Sequence, residues 1–156
     1  MTKYKHTQIG YLMIAVTLAV LALFASAYIT ARAEPPSVNS GTNFLGTSIM
    51  VLILLILSSF TSLTTIIDDN YLRIKFGYGI FRKKFLLNEI ILAKAVKNPW
   101  YCGWGIRMYF WPYAVIFNVS GFDAVEIVMK NGKIYRIGTD KPKELEEAIS
   151  KELTGK

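Results

Sequence analysis

The sequence has little of what enzymes and metalloproteins use for chemistry. It contains one cysteine, Cys102, and one histidine, His6, so an internal disulfide is impossible and a Cys-His pair is poorly supported. Metal-binding spacings such as C-x-x-C and H-E-x-x-H are missing, and Gly103 and Gly105 lack the remaining glycine of a dinucleotide fingerprint. We therefore expect no metal, no cofactor and no catalytic residue, and we predict that the protein is not an enzyme.

Charge is also missing from two long stretches of the chain. Residues 9–29 contain no charged side chain, and none occurs between Glu34 and Asp68. About 20 helical residues cross the roughly 30 Å hydrocarbon layer of a bilayer. The sequence therefore predicts two membrane-spanning helices, at about 9–29 and 43–61. A cleaved signal peptide ending at Ala31-Arg32-Ala33 is the alternative for the first span, but its apolar run is longer than a usual signal-peptide core.

The distribution of basic residues predicts the orientation of these spans. Lys3 and Lys5 precede the first span, and a basic segment follows the second, whereas the connector 31–46 carries one positive and one negative charge. The positive-inside rule then places the connector outside the cell. We expect a multi-pass protein of the cell membrane with both termini in the cytoplasm. Residues 1–61 would form the tail, spans and external connector, and residues 62–156 a cytoplasmic domain.

A stripe of small residues on the first span predicts helix packing. Ala15, Ala19 and Ala22 are spaced three or four apart, which lets a second helix approach closely. The alternative is that alanines are merely common in spans.

The cytoplasmic region has the pattern of a mainly-β domain. Leu72, Ile74 and Phe76 alternate with polar residues, and a glycine-containing turn at 77–79 leads into a return strand. Asn131-Gly132, between two alternating runs, favours a two-residue hairpin turn. After Pro142, apolar residues recur at helical spacing. We predict about seven antiparallel strands that form a small barrel, capped by a C-terminal helix.

Two groups of residues are candidate sites. The first is a basic hairpin close after the second span, where each positive charge would contribute about 1 kcal/mol of attraction to an anionic membrane surface. The second is a loop rich in tryptophan and tyrosine, which prefer the membrane interface and protein interfaces. The basic hairpin comprises Arg73, Lys75, Arg82, Lys83 and Lys84, and the aromatic loop comprises Trp100, Tyr101 and Trp104.

Each group also has a plainer interpretation. The basic residues are equally typical of a solvated face that only sets topology, and several aromatic residues of this region belong in the core of a small barrel. The paired carboxylates Asp68 and Asp69 suit a strand-to-turn position better than catalysis. A membrane enzyme that uses Asp68, Asp69 or Arg107 is therefore the weaker hypothesis.

The second half of the chain contains five short motifs: Gly105-Ile106-Arg107, Ala124-Val125-Glu126, Asn131-Gly132, Ile137-Gly138-Thr139-Asp140 and Pro142 to Leu145. In these motifs the chain resembles prokaryotic two-span membrane proteins with a pleckstrin-homology-like domain. The resemblance covers about residues 65–153. It implies a pleckstrin-homology-like barrel with a C-terminal helix, a fold used mainly for binding, and it brings no catalytic residue.

These observations lead to one functional hypothesis and one alternative. We expect a non-enzymatic integral membrane protein whose cytoplasmic domain binds a protein partner or the anionic phospholipid headgroups of the inner leaflet. The alternative is an accessory subunit of a larger membrane transport or secretion complex, held by another membrane protein or by self-association. A basic body beside a bilayer favours anionic lipid over nucleic acid.

Overall fold

A computed structural model describes residues 2–33, 40–110 and 113–154 of the chain. Two apolar helices precede a mainly-β domain that ends in a third helix. The helices are α1 (Tyr11–Ala33), α2 (Ser40–Ser59) and α3 (Pro142–Thr154). The nine strands are β1 (Tyr4–Ile9), β2 (Ser62–Ile67), β3 (Tyr71–Phe76), β4 (Arg82–Leu86), β5 (Ile90–Lys97), β6 (Gly105–Phe110), β7 (Tyr113–Asn118), β8 (Asp123–Met129) and β9 (Ile134–Gly138).

The helices differ in part from the predicted spans. α1 is long and apolar enough to cross a membrane, over Tyr11–Ala31, whereas the apolar part of α2, Phe44–Ser59, is shorter. Parts of the connector predicted at 31–46 are helical, because α1 continues to Ala33 and α2 begins at Ser40. Residues 34–39 of that connector lie outside the described residues.

The N-terminal tail is a strand, which the sequence did not predict. β1 pairs antiparallel with β2, in a register that runs from Tyr4 opposite Ile67 to Ile9 opposite Ser62. The chain therefore leaves the sheet at Ile9, passes through α1 and α2, and re-enters the same sheet at Ser62. Tyr4–Ile9 thus belongs to the β domain rather than to the membrane segment alone.

The strands form two sheets. The first has the order β1-β2-β3-β4 and the second the order β5-β8-β9-β7-β6. The hydrogen-bonded ladders of the described chain do not join these sheets into the predicted closed barrel, and nine strands replace about seven. One pair is parallel rather than antiparallel: β9 inserts between β8 and β7, and it runs in the same direction as β7.

One hydrophobic core lies between the sheets and beneath α3. Leu72, Ile74 and Phe76 of β3 are buried, as their alternation predicts, and Leu145 and Ile149 bury the apolar stripe of α3. α3 packs on β5 and β8. The N-terminal segment also contacts α3 and the residues just before it. The Lys3 ammonium donates to the Glu152 carboxylate of α3 at 2.7 Å, and His6 Nε2 lies 2.5 Å from Asp140 Oδ1, which precedes α3.

Tyr4 brings an unpaired phenol into this contact. Its ring packs against the core, and its hydroxyl is buried with no hydrogen-bond partner among the described residues. Burial raises the pKa of Tyr4 to about 12, and the nearby Glu144 and Asp140 carboxylates add to the rise. A buried hydroxyl without a partner costs about 1 kcal/mol or more.

We predict that Tyr4→Phe stabilises the protein by about 1 kcal/mol at neutral pH, because it removes that hydroxyl. The phenol ionises near pH 10 in the unfolded chain and near 12 in the fold, so the wild-type free energy of unfolding should fall as pH rises across this window. Tyr4→Phe should lose this part of the pH dependence. Thermal unfolding of both proteins between pH 8 and 11.5 measures it, with the exposed Tyr113→Phe as control. Parallel pH curves for Tyr4→Phe and wild type would contradict the prediction.

Candidate functional site

Both helices leave the β domain at the same end, which we call the helical end. The Gly10 amide, just before α1, donates to the Thr61 carbonyl, just after α2, at 2.8 Å. Val119, which follows β7, lies so close to Gly10 that a Cβ there would be 2.9 Å from its carbonyl oxygen. The helical end of the first sheet therefore coincides with the β7–β8 end of the second.

The β3–β4 turn packs directly on the end of α2. The Tyr78 hydroxyl hydrogen-bonds to Ser58 and donates to the Leu55 carbonyl at 3.0 Å. Gly77 lies so close to Ser59 that a Cβ there would be 2.5 Å from the Ser59 carbonyl oxygen, and its φ of +45° also favours glycine. These contacts hold the turn beside the last helical residues.

Exposed apolar side chains collect at this end. Ile80 is 62% exposed, and Tyr78, Phe81 and Phe122 are also exposed, although each is large and apolar or amphipathic. Ile80 and Phe81 lie in the β3–β4 turn, and Phe122 lies in the β7–β8 turn. Several large apolar side chains exposed at one end of a folded domain are typical of an interaction surface. The sequence alone does not distinguish these residues, because their position depends on where the helices leave the domain.

Four of the five residues of the predicted basic hairpin lie on one face of the first sheet, the basic face, which starts at this turn. β3 pairs with β4 so that Lys75 is opposite Arg82 and Arg73 is opposite Lys84, and directly opposed residues share a face. These four side chains are exposed on the outer face. Lys83 alternates to the inner face beside Ile74, so the five predicted residues do not share one face.

β1, which lies on the other side of β2, extends this basic face. Ile66 is opposite both Lys5 and Arg73, which puts the exposed Lys5 in the same row as Arg73 and Lys84. Lys5 escaped prediction as a site residue because the strand that carries it was not predicted.

The charges on this face are largely uncompensated. Arg73 pairs with Asp68, whereas Lys75, Arg82 and Lys84 on this face form no ion pair within the described part of the chain. Lys83, on the inner face, also forms none there. A cavity of about 210 Å³ lies along these strands, lined by Ile66 and Ile74 together with all five residues of the basic hairpin. The arrangement suits the binding of a surface that carries several negative charges and lies close to the helical end.

The aromatic loop lies at the same end of the domain. The backbone amide of Asn98 donates to the backbone carbonyl of Phe122 at 2.6 Å, which ties the loop to the β7–β8 turn. Trp100 is 79% exposed and Tyr101 is 60% exposed. Trp104, by contrast, is half-buried, and its indole nitrogen is buried without a partner among the described residues. The reason is local: Trp104 immediately precedes β6, where the chain turns back into the sheet.

Three further residues named from the sequence either make contacts within the domain or are buried in it. Asp68 accepts from Arg73, Arg107 donates to the Trp104 carbonyl at 3.4 Å, and Cys102 is buried. Among the residues that the structure describes, no group of histidine, cysteine and carboxylate side chains is arranged to hold a metal ion.

We predict that Trp100, and not Trp104, reports contact with a bilayer. The third tryptophan, Trp111, is replaced by phenylalanine in all the proteins compared. With the full-length protein in vesicles that contain brominated acyl chains, Trp100→Phe should then remove most of the quenchable tryptophan emission, because Trp100 is exposed whereas Trp104 is half-buried. Trp104→Phe is the matched control and should leave most of the quenching intact. Equal quenching of wild type and Trp100→Phe would contradict the prediction.

Comparison with models of protein families, with curated proteins and with solved structures finds no match to this chain.

Proposed function

We propose that this is a two-span membrane protein whose cytoplasmic, pleckstrin-homology-like domain binds the anionic surface of the inner leaflet through its helical end. The main support for this proposal is that the exposed apolar turns, the aromatic loop and the basic face occur together at the end from which α1 and α2 leave. The domain acts by binding and carries no catalytic role.

The return of the chain to one sheet supports two spans. β1 precedes α1, β2 follows α2, and these strands are hydrogen-bonded neighbours. If α1 crosses a bilayer, its two ends lie on opposite sides, so the chain must cross back to reach β2. The 20 residues of α2 would extend about 30 Å as a helix, the thickness of the hydrocarbon layer. The basic β domain then lies in the cytoplasm by the positive-inside rule.

The position of the charges supports binding to anionic lipid. Strands rise about 3.3 Å per residue, so Lys75 and Arg82 lie within roughly 7 Å of the turn that contacts α2, and Arg73 and Lys84 lie one step further away. Measured from the turn, Lys75 and Arg82 are within one Debye length, about 8 Å at physiological salt, and Arg73 and Lys84 are within two. Apolar and amphipathic side chains at the turn then enter the interface while the basic side chains reach phosphates.

The test is the stabilisation of full-length protein by anionic lipid in nanodiscs. We expect the melting temperature to rise when zwitterionic lipid is replaced in part by anionic lipid, and this gain to shrink in high salt, because lipid that binds the folded state stabilises it. The double variant Lys75→Glu/Lys84→Glu should lose roughly 2 kcal/mol of the gain or more.

A matched control is available at the opposite end of the domain. Lys130→Glu/Lys133→Glu changes the net charge equally, but these residues flank the β8–β9 turn, away from α1 and α2. This variant should keep most of the gain. If both double variants lose it equally, or if the gain is insensitive to salt, a specific role of the basic face is wrong.

A second candidate function, an accessory subunit of a larger membrane transport or secretion complex, is favoured by the outer face of α1. Met13, Thr17, Val20 and Phe24 form the more covered side of α1, which contacts α2. The small-residue stripe of Ala15, Ala19 and Ala22 is exposed on the other side. It is therefore free for a helix of another protein or of a second copy.

Native mass spectrometry of protein released gently from its own membranes tests this second function. If it is right, a stoichiometric polypeptide should accompany the wild type and be lost from Ala19→Leu/Ala22→Leu, because added side chains prevent close helix approach. Leu23→Phe, which adds volume outside the stripe, should retain it. A partner that survives in the stripe variant would contradict the stripe as the contact.

A further inference from the structure

A split between the two sheets opens beside the β3–β4 turn. β4 is the edge strand of the first sheet and β6 the edge strand of the second, and no ladder joins them within the described chain. Between them lies a cavity of about 180 Å³ with Phe76, Phe81, Ile106 and Phe117 in its lining. The two sheets thus meet along this side without a strand ladder in the described chain, and the cavity lies between their edges.

The apolar lining continues to the end of α2. The Phe81 ring stacks on Phe60 with ring centroids 5.1 Å apart, and Phe60 also meets Phe76 edge-on at 5.2 Å. Phe60 is the first residue after α2. A chain of aromatic contacts therefore leads from the helical end into the split, and Ile80 and Ile106 remain exposed at its rim.

The rim of the split is positive. Arg82 and Lys83 line it, no acidic residue does, and neither basic side chain is ion-paired within the part of the chain that the structure describes. An occupant that complements this site has an apolar chain for the interior and an anionic group for the rim.

We propose that the split holds one acyl chain of an anionic bilayer lipid, with its phosphate on Arg82 and Lys83. This inference rests on the proposed function, since it places the mouth of the split at the membrane surface. It adds a discrete site for one lipid molecule to the general attraction of the basic face. The occupant is a lipid rather than free phosphate because the lining is mainly apolar.

Native mass spectrometry of full-length protein tests the site, after reconstitution with phosphatidylglycerol and transfer to detergent. We expect one phosphatidylglycerol to be retained through delipidation, and phosphatidylcholine to be retained at least tenfold less. Ile106→Trp, which fills the split without changing charge, should abolish retention. Met108→Trp is the matched control, because Met108 is on the same face of β6 but does not line this cavity.

A second variant guards against misfolding of Ile106→Trp. Lys83→Glu leaves the apolar part of the lining intact and should reduce phosphatidylglycerol retention at least tenfold, with the melting temperature in detergent alone unchanged. Retention that is equal in wild type, Ile106→Trp and Lys83→Glu would overturn the site. A peptide found in place of lipid, and lost from Ile106→Trp, would also overturn it and identify the split as a strand-binding groove.

The outcomes for the site and for the proposed function are separable. Lys75 and Lys84 lie outside the split, so their charge reversal tests the basic face alone. If Ile106→Trp leaves lipid retention unchanged while Lys75→Glu/Lys84→Glu loses its salt-dependent stabilisation, the discrete site is wrong and the surface function stands. If lipid is retained in the split but the stabilisation by anionic lipid is insensitive to salt, the discrete site stands and the specific role of the basic face is wrong.

Discussion

The pairing of β1 with β2 is the interaction on which the rest of the structure depends. Neighbouring strands lie about 4.8 Å apart, so this ladder brings the start of α1 and the end of α2 together at one end of a sheet. The helical pair is therefore a continuation of two adjacent strands and not a separate anchor on a flexible linker. Close backbone approaches at Gly10 and Gly77 then limit how the helices can tilt against the domain.

This constraint gives the β domain two unlike ends. Ile80, Trp100 and Phe122 would each cost free energy if they faced only water, yet all three occur in turns or loops at the helical end. The opposite end carries the Asn131-Gly132 turn, and its exposed apolar residues, Ile91 and Leu92, lie on β5 and not in a turn. A surface that is apolar at its tip and basic just behind it matches the order of hydrocarbon, interface and phosphate in a leaflet, which is the basis of the proposed function.

Local patterns predicted much of the β domain and less of its assembly. The alternation of β3, the Asn131-Gly132 hairpin and the buried stripe of α3 are confirmed, because each depends on residues close in sequence. β1 was missed since Tyr4, His6 and Gln8 on its inner face are not aliphatic, and only pairing with residues more than fifty positions away makes it a strand. The same distance in sequence hid Lys5 from the predicted basic site, whereas Arg73 to Lys84 were visible as a local charge cluster. The parallel β7–β9 pair was missed because the insertion of β9 between β7 and β8 depends on how the sheet assembles and not on a local pattern.

The two edge strands at the split, β4 and β6, carry different kinds of side chain. This difference bears on the occupant proposed for the split. Exposed sheet edges invite pairing with other chains, and charged side chains on an edge strand discourage it. β4 has three consecutive basic residues, Arg82 to Lys84, at the split, which opposes the addition of another strand there. β6 presents Ile106 and Met108 instead, both exposed. A guest that needs no backbone hydrogen bonds, but covers apolar side chains and neutralises the facing charges, satisfies both edges, and an anionic lipid has this chemistry.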